Sequence, residues 1–198
     1  MDHNVTSPDE MLRKVKQRRF MLYARPWIKT AIAFLLIAAL IVVIAMLPYV
    51  SIYGVAMKPT LYDGDLGIAL SAKEYHVGDI IAFRQGDKIL VRRIIAVSGS
   101  SVSIDEEGIV TVDGIVLDEP YLAENALGQC NISFPFTVPD GQFFVMGDNR
   151  IDAVDSRITV LGCVNKDAVI GRVIVVFWPF ANFQWNPSEA HIPNGGSL

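Results

Sequence analysis

Histidine and cysteine are both scarce in this chain, with three of one and two of the other among 198 residues. His3, His76 and His191 are scattered, which argues against a metal centre built on closely spaced imidazoles, and no metal or other cofactor is expected. A glycine-rich phosphate loop, a dinucleotide fingerprint and an internal repeat are also missing, so nucleotide chemistry and solenoid folds drop out. The two cysteines, Cys130 and Cys163, permit a disulfide in an oxidising compartment. Sequence does not tell whether their Cα atoms approach, and two small apolar side chains are the other reading.

Charge is absent from Thr30 through Met57. Residues 30–47 are apolar on every helical face, with no polar stripe that would mark a surface helix. About 20 such residues cross the hydrocarbon of a bilayer, so residues 30–50 are expected to be a transmembrane anchor. Before it stand seven cationic residues (Arg13, Lys14, Lys16, Arg18, Arg19, Arg25 and Lys29) against Asp2, Asp9 and Glu10. That makes residues 1–29 a basic segment of net +4 and leaves −8 on residues 30–198. Positive flanks stay inside, so a single-pass cell-membrane protein with a cytoplasmic N-terminus and an extracytoplasmic bulk is expected. Membrane lipid is the partner of the basic stretch, and nucleic acid is not. A cleaved signal peptide competes, with small residues at Ala38-Ala39 and at Gly54-Val55-Ala56. The apolar run exceeds the usual h-region, which favours an uncleaved anchor.

Beyond the anchor the pattern turns to short runs of Val, Ile and Phe. Strands are expected at Asp79–Arg84, Ile89–Val97, Ser101–Ile104, Ile109–Val112, Phe143–Met146 and Val169–Phe177. Gly64-Asp65, Gly86-Asp87, Asp113-Gly114 and Asp140-Gly141 supply turns between runs, and Asp113-Gly114 reads as a two-residue hairpin. The fold class is mainly β, with an antiparallel domain of two packed sheets over residues 51–180. Residues 156–166 are ambiguous, and the Asn/Pro/Gly/Ser-rich stretch 181–198 reads as a disordered tail.

Four stretches stand out in order: Gly-Val-Ala-Met-Lys-Pro-Thr-Leu at 54–61, Val-Gly-Asp-Ile-Ile-Ala-Phe at 77–83, Val-Arg-Arg-Ile-Ile-Ala-Val-Ser-Gly at 91–99, and Gly-Asp-Asn-Arg-Ile-Asp-Ala-Val-Asp-Ser-Arg at 147–157. Together with Trp178-Pro179 they resemble the type I signal peptidases of Gram-positive type over roughly residues 28–180. In that family the first stretch reads Gly-x-Ser-Met-x-Pro-Thr, the third Val-Lys-Arg-Val/Ile-Ile-Gly-x-Pro-Gly, and the fourth Gly-Asp-Asn-Arg-x-x-Ser-x-Asp-Ser-Arg. The resemblance implies a serine–lysine dyad that removes signal peptides from exported proteins. Here the nucleophile position is Ala56, the general-base position is Arg92, and the serine that supports the lysine amine is replaced by Ala153.

A methyl group is no nucleophile, and a guanidinium keeps its proton where a buried lysine can lose one. Losing a serine protease's nucleophile or base costs on the order of 10⁶ in kcat. Lys88 has the strand parity of Arg92, but four residues put it roughly 13 Å away. Thr60 and Ser51 are nearby hydroxyls, the first matching the family's own threonine. An engineered serine-to-alanine change would explain Ala56 but neither Arg92 nor Ala153.

What is retained is the frame. Asp148, Asn149, Arg150, Asp155, Ser156 and Arg157 are expected to form a structural network of charge-assisted bonds. Gly54, Val55, Ala56, Met57 and Pro59 are the expected peptide-binding edge, with the Ala56 N–H still a donor. Ile52, Tyr53, Val55, Met57, Leu61 and Tyr62 are expected either to face the bilayer or to be core. Two functions follow. One is a non-cleaving binding factor for exported proteins, like the degenerate relatives that assist pilus assembly with a sortase. The other is an active, or engineered-inactive, signal peptidase I.

Overall fold

Thirty-eight consecutive residues, Pro8–Ala45, form one helix, α1. The computed structural model describes residues 8–188. Residues 1–7 of the basic segment and 189–198 of the expected tail lie outside them. Proline suits the first position of a helix, where its missing N–H costs nothing. Pro26 lies inside α1 and opens its apolar half, Pro26–Ala45, which is long and apolar enough to cross a membrane. Phe34, Leu35, Leu36 and Ile37 are successive residues, and each is more than half exposed. Four exposed apolar neighbours in a row leave no face for a soluble core, as an anchor requires.

The chain divides after Leu47. Residues 48–188 carry twelve strands: β1 (Tyr49–Ser51), β2 (Leu66–Leu70), β3 (Ile80–Gln85), β4 (Lys88–Val97), β5 (Ser101–Ile104), β6 (Val110–Val112), β7 (Ile115–Val116), β8 (Phe136–Thr137), β9 (Gln142–Met146), β10 (Val164–Asn165), β11 (Val169–Trp178) and β12 (Gln184–Trp185). All described pairings are antiparallel. The large sheet runs β1-β2-β11-β3-β4-β9-β10, with β12 also on β11, and the small one β7-β6-β5-β8. Asp113 and Gly114 take φ of 51° and 83° between β6 and β7, the paired left-handed geometry of a tight hairpin.

Strand alternation sets the cores. On β3, Ile80 and Ala82 join Met57, Leu61, Val91 and Val173 on one face, while Ile81 and Phe83 join Ile94, Phe143 and Val145 on the other. Both faces of the central strand are therefore buried. A bulge between Ile94 and Ala96 breaks the β4–β9 register. Beyond it Ile95 and Ala96 both enter a third core, with Val102, Val110, Phe144 and Met146, which ties the small sheet to the large one.

Two boundaries differ from expectation. Residues 49 and 50, placed in the anchor by hydropathy, pair with β2, and Val50 is buried there. Residues 181–188, expected to be disordered, dock on the domain. Asn182 donates to Asp65 (2.8 Å), Gln184 to the Thr60 carbonyl (3.1 Å), and the buried Ser188 hydroxyl accepts from the Ile80 N–H (2.9 Å). Turn-rich composition concealed this, because side-chain bonds to distant backbone leave no local pattern. Cys130 and Cys163 are both free thiols.

Candidate functional site

The segment 52–61 leaves β1 and is pinned from below. Ile52, Met57 and Leu61 are buried in the core, while Gly54, Val55, Lys58 and Pro59 are exposed. Gly54 takes φ +80°, a turn that a side chain would resist, and its N–H donates to Asp63 (2.7 Å). Of the apolar run expected to face the bilayer or to be core, Ile52, Met57 and Leu61 are core, and Tyr53, Val55 and Tyr62 are exposed. Met57 is therefore a core side chain rather than part of the peptide-binding edge. Alternation along an irregular loop cannot be read from sequence, so the inward and outward residues were not separable there. Ala56 is almost covered, and its N–H has no acceptor among the described residues.

The 147–157 loop closes over this segment. Asn149 N–H donates to the Ala56 carbonyl (3.0 Å), and Asn149 Nδ2 to the Val55 carbonyl (3.3 Å). The loop passes so close that a methyl on Gly147 would stand 2.5 Å from the Ala56 oxygen and 2.4 Å from the Ala153 Cβ. Only glycine fits between them. Asp155 accepts from the Gly147 N–H and, with both oxygens, from Arg157 at 2.8 and 2.7 Å. The Ser156 hydroxyl accepts from the Val145 N–H and donates to the Gly162 carbonyl, tying the loop to β9.

β4 delivers two arginines to opposite faces, because neighbours on a strand alternate. Arg93 forks onto Asp148, Nε to Oδ1 at 2.9 Å and Nη2 to Oδ2 at 2.7 Å, and Thr60 adds a hydroxyl to Oδ2 at 2.5 Å. Tyr121 covers the Arg93 guanidinium at 3.8 Å, its own hydroxyl held by Glu119. Burial works against the Arg93 charge, but Asp148 outweighs it and the pKa rises. Arg150 follows the same logic with Glu119. Arg92 differs. Its Nε (3.1 Å) and Nη2 (2.8 Å) both donate to the Val154 carbonyl, and Nη1 to the Val91 carbonyl (2.6 Å). Its pKa is lowered, chiefly by burial, with Asp155 opposing from a distance.

Gly147 thus stands against both Ala56 and Ala153, while Arg92 reaches the carbonyl of Val154, the residue after Ala153. Of the frame residues, Asp155 pairs within the motif with Arg157, while Asp148 and Arg150 find partners outside it. Asp148 bonds Arg93, and Arg150 bonds Glu119. Glu119 and Tyr121 escaped sequence reasoning altogether, since Asp118-Glu119-Pro120-Tyr121 carries no motif. Arg93 and Thr60 lay inside recognised motifs and were legible in principle. Lys88 sits exposed beside the β3–β4 turn, away from this cluster. A cavity of about 220 Å³ lies among Val116, Glu119, Pro120 and Asn125, and the 54–59 segment does not line it. Among the described residues no His/Cys/Asp/Glu group has the arrangement of a metal site.

The family model described as signal peptidase, peptidase S26, matches residues 24–178. The chain belongs to the signal peptidase S26 family. Among its relatives are signal peptidase I of Bacillus licheniformis, 35% identical over 78% of this chain and 88% of that protein, and signal peptidase I S of Bacillus subtilis (strain 168), 34% identical over 78% and 89%. A crystal structure of a signal peptidase I from Enterococcus faecalis V583 aligns with a TM-score of 0.44 and 31% identity over 52% of this chain and 99% of that one. This signal peptidase I homologue thus has a mainly antiparallel β domain of two sheets and an apolar N-terminal helix, with Ala56, Arg92 and Ala153 gathered beside its Gly147–Arg157 loop.

Proposed function

We propose that this signal peptidase I homologue binds exported polypeptides without cleaving them. The observation that carries the reading is the pairing of Ala56 with Arg92. No hydroxyl is available at position 56, and the guanidinium at 92 is committed to the Val154 and Val91 carbonyls. Hydrogen bonds to carbonyls favour the charged form of a donor, so this group does not act as a base. Exposed Gly54, Val55 and Pro59, with an Ala56 N–H that has no acceptor among the described residues, supply the surface on which the peptide lies. The protein is anchored by α1 with its N-terminus in the cytoplasm and acts outside. External protease on spheroplasts should then remove the β domain and spare the first 25 residues. Pilus subunits, handled with a sortase, are the proposed cargo.

A second reading, an active signal peptidase with a rewired site, is favoured by the 35% identity to a protein named signal peptidase I. One experiment separates the two. The purified full chain in detergent, incubated with a preprotein, should leave it intact while the preprotein crosslinks to a photoreactive residue at position 55. Specific cleavage beside a small residue would establish the second reading, and crosslinks to lipid alone would remove the first.

A further inference from the structure

From Ile94 through Asn149 the chain has nine acidic residues and no lysine, arginine or histidine. Glu119 and Asp148 are paired with Arg150 and Arg93. The other seven are exposed and make no ion pair among the described residues. This stretch holds the whole small sheet, β5 to β8, and β7 is one edge of it. Antiparallel neighbours alternate between hydrogen-bonded and open pairs. The Leu117 N–H donates to the Val110 carbonyl (2.8 Å), so the next pair, Thr111 with Val116, is an open one. The Val116 N–H and carbonyl therefore point away from β6, at the free edge, and neither has a partner among the described residues. Ile115 and Val116 are both more than half exposed. Edge strands are ordinarily guarded by lysine, proline or a cover, whereas this one has Asp113 before it and Asp118 after it. The cavity of about 220 Å³ is lined by Val116, Leu117 and Asp118 together with Ile109 and Asn125. Gly108 presses on the next backbone, where a Cβ would stand 2.4 Å from the Ala126 nitrogen. That contact brings the exposed Glu107 and Glu124 to the same rim.

An open backbone edge with apolar side chains takes an extended segment as a further strand. Carboxylates on both flanks, with no cation among them, set the sign of that segment: an acidic chain is repelled and a basic one attracted. We propose that β7 is a docking edge for an extended cationic segment of a partner polypeptide, one that carries lysine or arginine together with apolar residues. Its backbone pairs with Val116, its apolar side chains enter the groove, and its cations meet Asp118, Glu107 and Glu124. A second copy of this chain is a poorer occupant, because two lobes of the same charge would face each other. The 54–59 segment does not line this groove, so the proposal is independent of the peptide-binding reading above.

The probe is a fluorescent peptide, Lys-Val-Lys-Val-Lys-Val-Lys, made also with glutamate for lysine and in a form N-methylated throughout. Binding to the full chain in non-ionic detergent micelles is followed by anisotropy. The lysine peptide should bind about tenfold or more tighter than either of the others, and should weaken as salt rises from about 50 to about 500 mM. Asp118→Asn combined with Glu124→Gln should lower its affinity severalfold. Val116→Pro should lower it to that of the N-methylated peptide, because the N–H removed lies on the open side and takes no part in the β6–β7 ladder. Circular dichroism checks the folding of both variants, and the N-methylated peptide makes the same test on the unaltered protein. Equal binding of the lysine and glutamate peptides overturns the charge argument. Equal binding of the lysine and N-methylated peptides reduces the contact to ion pairing and overturns the added strand. Failure of the lysine peptide to bind removes the proposal and leaves the 54–59 reading untouched. Sedimentation showing dimers of the unaltered chain that Val116→Pro dissociates would assign the edge to a second copy and refute the proposal.

Discussion

Replacing Asp148 by asparagine should destabilise the β domain severely while hardly changing its shape. The carboxylate takes two N–H donors from Arg93 and one hydroxyl from Thr60. A side-chain amide in its place would offer one oxygen instead of two and no charge. Arg93 is fully buried, so its cation would be left with one neutral amide oxygen, the Gly78 carbonyl and the Tyr121 ring. Breaking a buried pair by neutralising one partner costs about 3–5 kcal/mol. That is a large share of the roughly 5–15 kcal/mol that holds a domain folded. At about 2–4 °C per kcal/mol for a domain of this size, the melting temperature should fall by roughly 6–20 °C. Thr60→Val removes only the hydroxyl and should cost about 1.5–3 kcal/mol. The assay is thermal unfolding of the full chain in detergent, followed by near-ultraviolet circular dichroism. A loss below about 1 kcal/mol for Asp148→Asn would refute the reasoning, because water would then have to reach Arg93.

Ala56→Ser alone should give no preprotein cleavage, since the new hydroxyl would face a guanidinium; the triple variant Ala56→Ser, Arg92→Lys, Ala153→Ser is the minimal set expected to restore any, and turnover by the single variant would reveal another base. Val55→Glu should weaken association with an exported segment and leave the fold intact, because Val55 is 40% exposed; Met57→Glu should unfold the domain, because Met57 is 2% exposed, and equal melting temperatures for the two would contradict this. Burial pushes the Cys163 thiol up to about 11 from its ordinary 9.0, so at pH 8 maleimide should label it roughly 100-fold more slowly in the folded protein than in urea, as read by mass spectrometry. The same shift makes its stability contribution complete below the unfolded thiol's pKa of about 9.0 and lost as pH rises toward about 11, which a pH series of melting curves measures.

The apolar N-terminal helix, the long strands and the family were all legible without coordinates. An uncharged stretch long enough to span a bilayer shows in the composition alone, and the runs at 79–84, 89–97, 101–104, 109–112 and 169–177 are rich in Val, Ile and Phe and are bounded by turn pairs. β1, β8, β10 and β12 have two or three residues each, too short for a period to register, and β2 is diluted by Gly67 and Ala69. The identities at 56, 92 and 153 were plain, because a motif reports which residue stands at a position.

Which partner each side chain meets was decided only by tertiary structure. Arg92 and Arg93 are adjacent in sequence and look interchangeable, yet strand alternation sends one to carbonyls and the other to a carboxylate. Glu119 reaches Arg150 across thirty-one residues, and Ser188 caps Ile80 across 108, at spacings that no local pattern records. Residue types come from the chain itself, but the charge balance around each of them is a sum over neighbours in space. That sum makes Arg92 the buried arginine of the site without a carboxylate of its own.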